Sequence, residues 1–248
     1  MPATGKSILC ATMHKAGSSI ADLILADICR AKGLEIDRIA LQVPSSDMTE
    51  GELFVSYQDK MRGEGVYYGV ARGAYVKDMP IVYGLRAIIQ VRDPRDCLTS
   101  AYFSFRESHR PPTDPQKLEA FLKRRELLQN QTIDEYATLQ ARSYNHRMAV
   151  LQEIVRKHDD VLVLRYEDMV TRTDKWLAAI SDFIGQPITP DLRAILGKKI
   201  DFTVETEDAS RHKRQVSPGD HRRKLKPETI ASISDTLAAQ LEFFDYEV

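Results

Sequence analysis

Cysteines and long apolar runs are both scarce in this sequence. The three cysteines, Cys10, Cys29 and Cys97, each fall in an apolar run and lack the spacing of metal ligands. We therefore expect buried, reduced thiols and no metal site. No stretch approaches the ~18 consecutive apolar residues of a membrane-spanning helix, and His14 and Lys15 interrupt the first apolar run too early for a secretory signal. These absences favour a cytoplasmic protein without a membrane span.

The sequence also has no large excess of positive or negative charge. Lys and Arg together number 35 and Asp and Glu 36, which gives a formal net charge of -1 over 248 residues. The chain as a whole is therefore no general polyanion binder, and we expect no nucleic-acid partner and only local positive patches. The strongest patch is segment 211–226, with seven basic residues around a Ser-Pro-Gly turn. It is either a solvated face or a basic lid over an anionic ligand.

Short apolar segments alternate along the chain with segments of helical spacing. Strands are predicted at 7–12, 65–71, 85–91 and 161–166, and helices at 19–33, 116–129, 133–158, 173–184, 190–198 and 227–244. A further helix begins after the third of these strands, with Asp93 as its N-cap and Pro94 as its first residue. The alternation predicts an α/β fold, with three α/β/α layers around a mostly parallel central sheet. We expect one domain over residues 1–248, with ligands at the carboxyl ends of the strands.

The first candidate anion contact is the segment HKAGSS, residues 14–19, between the first strand and the first helix. Free amides at a helix start, a lysine and two hydroxyls suit an anion, although an ordinary strand-to-helix turn has the same length. The nearby Thr4-Gly5-Lys6-Ser7 ends like a Walker A motif. It precedes the strand and leaves no room for the motif's first glycine, so we interpret it as an ordinary N-terminal segment.

The second candidate is VRDPRDCLTSAYFS, residues 91–104. Arg92 stands at the carboxyl end of a strand, where a guanidinium can grip a phosphate with two hydrogen bonds. Ser100 follows eight residues later on the next helix. The alternative is an arginine that caps a turn and a serine that fills a gap.

In order and spacing, these segments resemble the motifs of the PAPS-dependent sulfotransferases, and the chain looks like a bacterial-type or small cytosolic member of that P-loop-like family. The family's signature R-[ND]-P-[RK]-D with a following serine corresponds to Arg92 and Ser100, which implies that they bind the 3′-phosphate of PAPS. The family's loop, similar to YPKSGTT, corresponds here to MHKAGSS. The resemblance implies that the 5′-phosphosulfate is bound by Lys15, Ala16, Gly17, Ser18 and Ser19.

Two later motifs extend the resemblance to most of the chain. The strand in VLVLRYEDM, residues 161–169, ends in the family's YED, which implies that Tyr166 lies near the adenine. The family's late element R-K-G-x-x-G-D-W becomes R-Q-V-S-P-G-D-H, which keeps Arg214 and Gly219 and loses the tryptophan at His221. In the family this element closes on the 3′-phosphate and adenine side.

The resemblance implies transfer of the sulfuryl group of PAPS to a hydroxyl or amine of a small-molecule or glycan acceptor, with release of PAP and no metal. Positioning and electrostatics carry most of the catalysis in such transfers, and Lys15 is the candidate catalytic cation. The sequence leaves the acceptor and the oligomeric state open.

The general base is the weakest part of the resemblance. Cytosolic family members place a catalytic histidine in a K-T-H context after the second strand, and residues 67–75 contain no histidine. His14 is the nearest titratable neighbour of Lys15, and its ordinary pKa of about 6.5 suits a base. The further candidates are Glu107, His109, Tyr67, Tyr68 and Arg72, unless the acceptor needs no base.

Two other classes of protein share parts of this pattern. A P-loop kinase or related NTPase would explain the loop and the strand of VLVLRYED, but Lys15 precedes the glycine instead of following it. Arg92 and Ser100 would also have no role on a 5′-triphosphate. A non-catalytic nucleotide-binding protein of the same fold would explain the missing histidine.

Overall fold

The computed structural model describes residues 5–109, 111–112, 114–202 and 217–248. The contacts of the chain define two compact units. The first comprises Met1–Arg92 and Ala149–Phe202, and the second comprises Asp93–Met148 and Thr203–Val248. The expectation of one domain over residues 1–248 stays a prediction.

The first unit contains a parallel sheet of five strands among the described residues, in the order β2-β3-β1-β4-β5. The strands are β1 (Ile8–Thr12), β2 (Glu35–Ile36), β3 (Val66–Arg72), β4 (Arg86–Val91) and β5 (Val161–Arg165). The predicted α/β fold with a central parallel sheet is confirmed. Strand β1 lies at the centre, between β3 and β4. The loop that follows β1 therefore emerges at a central position of the sheet's carboxyl edge, where parallel sheets bind ligands.

Ten α-helices lie in the part of the chain that the structure describes. They are α1 (Ser18–Ala31), α2 (Glu50–Tyr57), α3 (Pro94–Phe103), α4 (Pro115–Gln129), α5 (Ile133–Lys157), α6 (Tyr166–Thr171), α7 (Thr173–Ile184), α8 (Pro190–Leu196), α9 (Asp220–Lys224) and α10 (Pro227–Phe243). None of these helices has the length and apolar run needed to cross a membrane.

The core of the first unit fixes the position of the loop after β1. All five residues of β1 are buried, which explains why its sequence is a continuous apolar run instead of an alternating one. Helix α1 packs Ile24, Leu25 and Ile28 into the same core, at the spacing of one helical face. Because both the strand and the helix are anchored by apolar burial, the segment between them is held at each end.

Local sequence explains where the helices near the site begin. The Asp93 side chain accepts a hydrogen bond from Arg95 N, and Pro94 is the first residue of α3, as predicted. Thr49 and Glu52 form a reciprocal capping box at the start of α2. The last turn of α3 continues into a π-helical turn at Ser104–Ser108.

Candidate active site

The loop between β1 and α1 makes its reversal with two residues in the left-handed region. Lys15 has φ 72° and Gly17 has φ 74°. Glycine adopts this conformation freely, whereas a residue with a Cβ pays roughly 1–2 kcal/mol for it. Backbone strain of this kind concentrates at functional sites, and here it falls on the lysine that sequence analysis singled out.

Helix α1 begins at Ser18 without a side-chain cap, because its N-cap residue is Gly17. The first amides of a helix have no partner within the helix and carry the positive end of its dipole. Ala16 and Ser18 are buried, Lys15 is half-buried, and His14 and Ser19 are exposed. The structure thus presents a positively polarised helix start beside the loop lysine, an arrangement that can bind an anion.

A buried glutamine supports the loop from below, and sequence analysis missed it. Gln90 is fully buried in β4, and its Nε2 donates to the carbonyl oxygen of Ala16 at 3.4 Å. Its Oε1 accepts from Trp176 Nε1 at 3.3 Å. The one sequence feature that could have indicated Gln90 was a glutamine among the apolar residues at the end of LRAIIQV. Through these two hydrogen bonds, Gln90 links the loop after β1 to the buried core.

Arg92 joins the loop to the end of β5. It is the residue that follows β4, and only 5% of it is exposed. Its Nη1 donates to the carbonyl oxygen of Lys15 at 3.1 Å, and its guanidinium carbon lies 4.2 Å from the ring centre of Tyr166. Three residues from three separate sequence motifs therefore meet at the carboxyl edge of the sheet.

Tyr166 also closes the loop against Gly17. A Cβ on Gly17 would lie 2.6 Å from Cδ2 of Tyr166 and 2.9 Å from Cε of Met169. Real Cβ atoms do not approach other atoms this closely. Glycine is required here both for its positive φ and for the space that Tyr166 occupies.

Replacing this glycine tests how tightly the loop is packed. Gly17→Ala should lower the free energy of unfolding by about 2–4 kcal/mol, because backbone strain and overpacking add. Gly33→Ala is the matched control, since Gly33 has φ 90° but nothing within 4 Å of an added Cβ. It should cost only the strain of about 1–2 kcal/mol. Urea denaturation measures both, and equal losses would contradict the close packing of Gly17 on Tyr166.

In the second unit, Ser100 is half-buried on α3, and Gly219 is the N-cap of α9 with φ 80°. Arg214, with its neighbours Gln215 and Val216, lies outside the described residues. The Asp96 carboxylate, fully buried on α3, accepts from Gly219 N at 2.8 Å, from His221 N at 3.0 Å and from the His221 ring at 2.7 Å. Sequence analysis did not find Asp96, although it is the last letter of the RDPRD motif.

Two of the candidate bases, Tyr67 and Tyr68, belong to the core, and the prediction is wrong for both. Tyr67 is completely buried in β3 and donates to Asp22 Oδ1 at 3.0 Å. Burial and the nearby Asp22 raise the pKa of Tyr67 well above its usual range, so the hydroxyl keeps its proton. Tyr68 is 2% exposed, and its hydroxyl bonds to the backbone of Arg62. Neither side chain can take a proton from an acceptor.

Three candidate bases lie within reach of solvent. Glu107 pairs with Arg106 at 3.0 Å in the π-helical turn. The ring of His109 lies against Phe105 and Phe121, with centroid distances of 5.4 Å and 6.1 Å. His14 is exposed at the start of the loop. Among the described residues, no group of three or more His, Cys, Asp or Glu is placed to hold a metal ion.

The parallel sheet, the loop between β1 and α1 and the arginine after β4 are features of α/β proteins that bind phosphate groups at the carboxyl edge of the sheet. The sulfotransferase domain family matches residues 84–242, which is more than half of the chain. The chain therefore belongs to the sulfotransferase family. This confirms the family and the class of enzyme that the motifs indicated, and it disfavours the kinase hypothesis.

Solved structures of sulfotransferases share this fold. Mouse sulfotransferase SULT7A1 complexed with PAP matches with a TM-score of 0.62 and 15% identity, over 95% of this chain and 84% of that one. Retinol dehydratase in complex with androsterone and inactive cofactor PAP matches with a TM-score of 0.56 and 14% identity, over 98% and 82%. The sulfotransferase domain of the Synechococcus PCC 7002 olefin synthase gives 0.52 and 15%, over 98% and 95%. No protein of curated function matches the sequence.

Proposed function

We propose that the protein transfers the sulfuryl group of PAPS to a hydroxyl or amine of an acceptor and releases PAP. The observation that carries the proposal is the position of Arg92, which binds the carbonyl of Lys15 and stacks on Tyr166. These residues belong to the three motifs whose order resembles that of PAPS-dependent enzymes. Two of the similar structures, SULT7A1 and retinol dehydratase, were solved with PAP.

The residues of the loop fit the phosphosulfate end of such a nucleotide. Gly17 leaves the start of α1 without a side-chain cap, and Lys15 adds a full positive charge beside it. An anion there gains from the helix dipole and from charge-assisted hydrogen bonds. We assign the 5′-phosphosulfate to the loop residues Lys15, Ala16, Gly17, Ser18 and Ser19.

We assign the 3′-phosphate to Arg92, whose guanidinium can bind a phosphate with two hydrogen bonds, and Tyr166 to the adenine side. From the second unit we propose Ser100, Arg214 and Gly219 as further nucleotide-binding residues. A 3′-phosphate site distinguishes PAPS from ATP-like nucleotides, which carry no phosphate at that position.

PAPS supplies a sulfuryl group that leaves its phosphate through a loose, in-line displacement. The ammonium of Lys15 neutralises negative charge on the 5′-phosphate as it departs. The amides at the start of α1 add fixed dipoles aimed at the same oxygens. Because β1, α1 and Gln90 hold the loop backbone, these amides need no rearrangement during transfer.

A transfer assay with radiolabelled PAPS tests the proposed function. The panel of acceptors should include phenols, sugars, lipid alcohols, amines and peptides, because the sequence leaves the acceptor open. Label appearing on one acceptor class supports the proposal. Binding of PAP with no transfer across the whole panel contradicts it and favours a non-catalytic nucleotide-binding protein.

We propose His14 as the general base, since it is exposed beside Lys15 and histidine is the side chain that most often serves as a base. His14→Ala should lower turnover by about 100-fold or more, the usual contribution of a positioned base. The Kd for PAP should stay within about threefold, because PAP contains no acceptor.

The matched control for this change is His146→Ala, since His146 is exposed on α5. It should leave turnover unchanged. If His14→Ala also transfers at the wild-type rate, His14 is not the base. Glu107→Gln and His109→Ala then identify the group, or show that the acceptor needs none.

We also propose that residues 1–248 act as one sulfotransferase domain, because the family match at 84–242 runs through both units. The acceptor we propose is a small molecule or a glycan. A cytoplasmic location is supported by Cys10, Cys29 and Cys97, which are buried as reduced thiols. Burial raises the pKa of Cys10 and Cys29, so their thiols stay protonated and inert.

A further inference from the structure

A cavity of about 400 Å³ lies within the second unit, and the function proposed above assigns no ligand to it. Its walls come from the π-helical turn Ser104–Ser108, from the residues just after that turn and from helix α4. Cavities that bind small molecules have volumes of roughly 300–1,000 Å³, and π-helical turns are rare and occur frequently at functional sites. The cavity is therefore a candidate binding site, and its side chains indicate the kind of ligand.

Aromatic and other apolar side chains form much of the lining. Phe105 comes from the π-helical turn and Phe121 from α4, and both are half-buried. The ring of His109 contacts both of them, with centroid distances of 5.4 Å and 6.1 Å. Pro112 and Ala120 add further apolar surface. A cluster of rings with this composition suits the flat apolar body of a small organic molecule.

The same cavity carries an excess of positive charge. Lys117, Arg124 and Arg125 line it, and none of the described residues that line it is acidic. Among the residues that the structure describes, no carboxylate forms an ion pair with Arg124 or Arg125. Positive charge that is gathered in a concave site and is not neutralised by a neighbouring carboxylate attracts anions.

Arg125 fixes the shape of the cavity. Its Nη2 donates to the carbonyl oxygen of His109 at 2.6 Å, and its guanidinium carbon lies 4.6 Å from the ring centre of Phe121. These contacts link the end of the π-helical turn to helix α4. Because the acceptor is a neutral carbonyl group, the hydrogen bond leaves the positive charge of Arg125 in place.

Arg124 is the cation that is best placed to bind a ligand. Its side chain is exposed, and its guanidinium carbon lies 4.2 Å from the ring centre of Phe105. Stacking on a ring occupies one face of a guanidinium and leaves the N–H groups at its edge able to donate. A ligand that packs on the aromatic lining can therefore place an anionic group against Arg124.

We propose that this cavity binds an organic anion of one or two rings. The apolar body of the ligand packs against Phe105 and Phe121, and its carboxylate, sulfonate or phosphate group binds Arg124. An inorganic anion would use only the cations, and a neutral aromatic compound would use only the rings. The inference does not depend on the proposed function, because it rests on residues of the second unit alone.

Calorimetric titration of the full chain with 2-naphthoate tests the assignment, and 2-naphthylmethanol and inorganic phosphate serve as reference ligands. We expect 2-naphthoate to bind with a Kd on the order of 0.1 mM, as is usual for a ligand of about a dozen heavy atoms. The neutral alcohol and inorganic phosphate should each bind at least about tenfold more weakly, because each lacks one of the two kinds of contact.

Two variants of α4 separate a specific contact from a general effect of charge. Arg124→Gln removes an exposed cation without burying anything new, and it should weaken 2-naphthoate binding by about tenfold. Lys123→Gln is the matched control, since Lys123 precedes Arg124 on the same helix, is 72% exposed and pairs with Glu119 at 2.8 Å. It removes the same charge outside the cavity and should change the Kd by less than about twofold.

A third variant tests the aromatic wall. Phe105→Leu keeps an apolar side chain and removes the ring, so it should weaken the binding of 2-naphthoate by about threefold. Unchanged affinity in this variant would mean that the ligand does not pack on Phe105, and it would overturn the proposed mode of binding.

The other outcomes are equally direct. Wild-type affinity in Arg124→Gln overturns the inference, because the anion would then bind elsewhere. Equal weakening by Arg124→Gln and Lys123→Gln also overturns it, because the effect would come from the net charge of the helix. Equal affinity for 2-naphthoate and for either reference ligand contradicts the proposed ligand class. The probes contain no nucleotide, so none of these results alters the proposed function.

Discussion

Arg92→Ala is expected to weaken PAP binding by about 100-fold, which corresponds to about 2.7 kcal/mol. The loss of a charge-assisted hydrogen bond to a phosphate has an effect of this size. The change also removes the bond from Arg92 Nη1 to the carbonyl of Lys15 and the stacking on Tyr166, so the loop loses its link to the adenine side. Isothermal titration calorimetry with PAP measures the effect.

The control for this change is Arg193→Ala. Arg193 is an arginine of α8 whose side chain is 49% exposed and pairs with Asp174 at 2.7 Å. Exposed pairs of this kind contribute little, so PAP binding should be unchanged. If Arg92→Ala binds PAP within about threefold of the wild type, the 3′-phosphate assignment is wrong, because a lost charged contact cannot be so small.

Asp96→Ala is expected to lower the free energy of unfolding by about 3–5 kcal/mol. The Asp96 carboxylate is completely buried and accepts from two backbone amides, at Gly219 and His221, and from the His221 ring. Alanine leaves those donors buried without an acceptor, and each unsatisfied donor costs about 1–3 kcal/mol. Urea denaturation of the full chain measures the loss.

Asp235→Ala provides the comparison, since Asp235 is exposed on α10. It should change stability by no more than about 0.5 kcal/mol. A loss of less than about 1 kcal/mol in Asp96→Ala would mean that the buried donors find other partners. In that case Asp96 would not be what fixes the backbone from Gly219 to His221.

The structural role of Asp96 could not be predicted from its place in the sequence motif. The RDPRD motif marks Arg92 through the chemistry of phosphate binding, but nothing local shows what its last aspartate does. The partners of Asp96 lie more than a hundred residues away in the chain. Contacts at that separation leave no periodic signal in the sequence.

The longer strands and helices could be predicted because their patterns repeat. Strands β1, β3, β4 and β5 are mostly apolar segments of five to seven residues. Strand β2 has two residues, too few for any pattern. Helix α2 was missed, although Thr49 and Glu52 carry the spacing of a capping box three residues apart. The signal was present, but the apolar positions of so short a helix do not repeat.

The error at Tyr67 and Tyr68 has a clear physical origin. GVYYGVA is an unbroken apolar run, which is typical of a strand buried on both faces. Such a strand leaves no side chain for the acceptor, and both tyrosines indeed lie in the core. Only Arg72, where the strand ends, reaches the carboxyl edge of the sheet.

The left-handed conformation of Lys15 was also beyond prediction. The glycine at position 17 is compatible with the positive φ found there, because glycine adopts that conformation freely. Nothing in the sequence indicates a second positive φ at Lys15. The conformation follows from how β1, Gln90 and α1 hold the loop, and it is a property of the fold.

The proposed function requires that the protein prefer a 3′-phosphorylated nucleotide. Thermal unfolding with PAP, ADP and ATP with Mg²⁺ measures this preference. We expect PAP at 100 times its Kd to raise the Tm by about 5–10 °C, equally with and without Mg²⁺, and ADP and ATP with Mg²⁺ to raise it much less. A larger shift with ATP and Mg²⁺ than with PAP would contradict the proposed function.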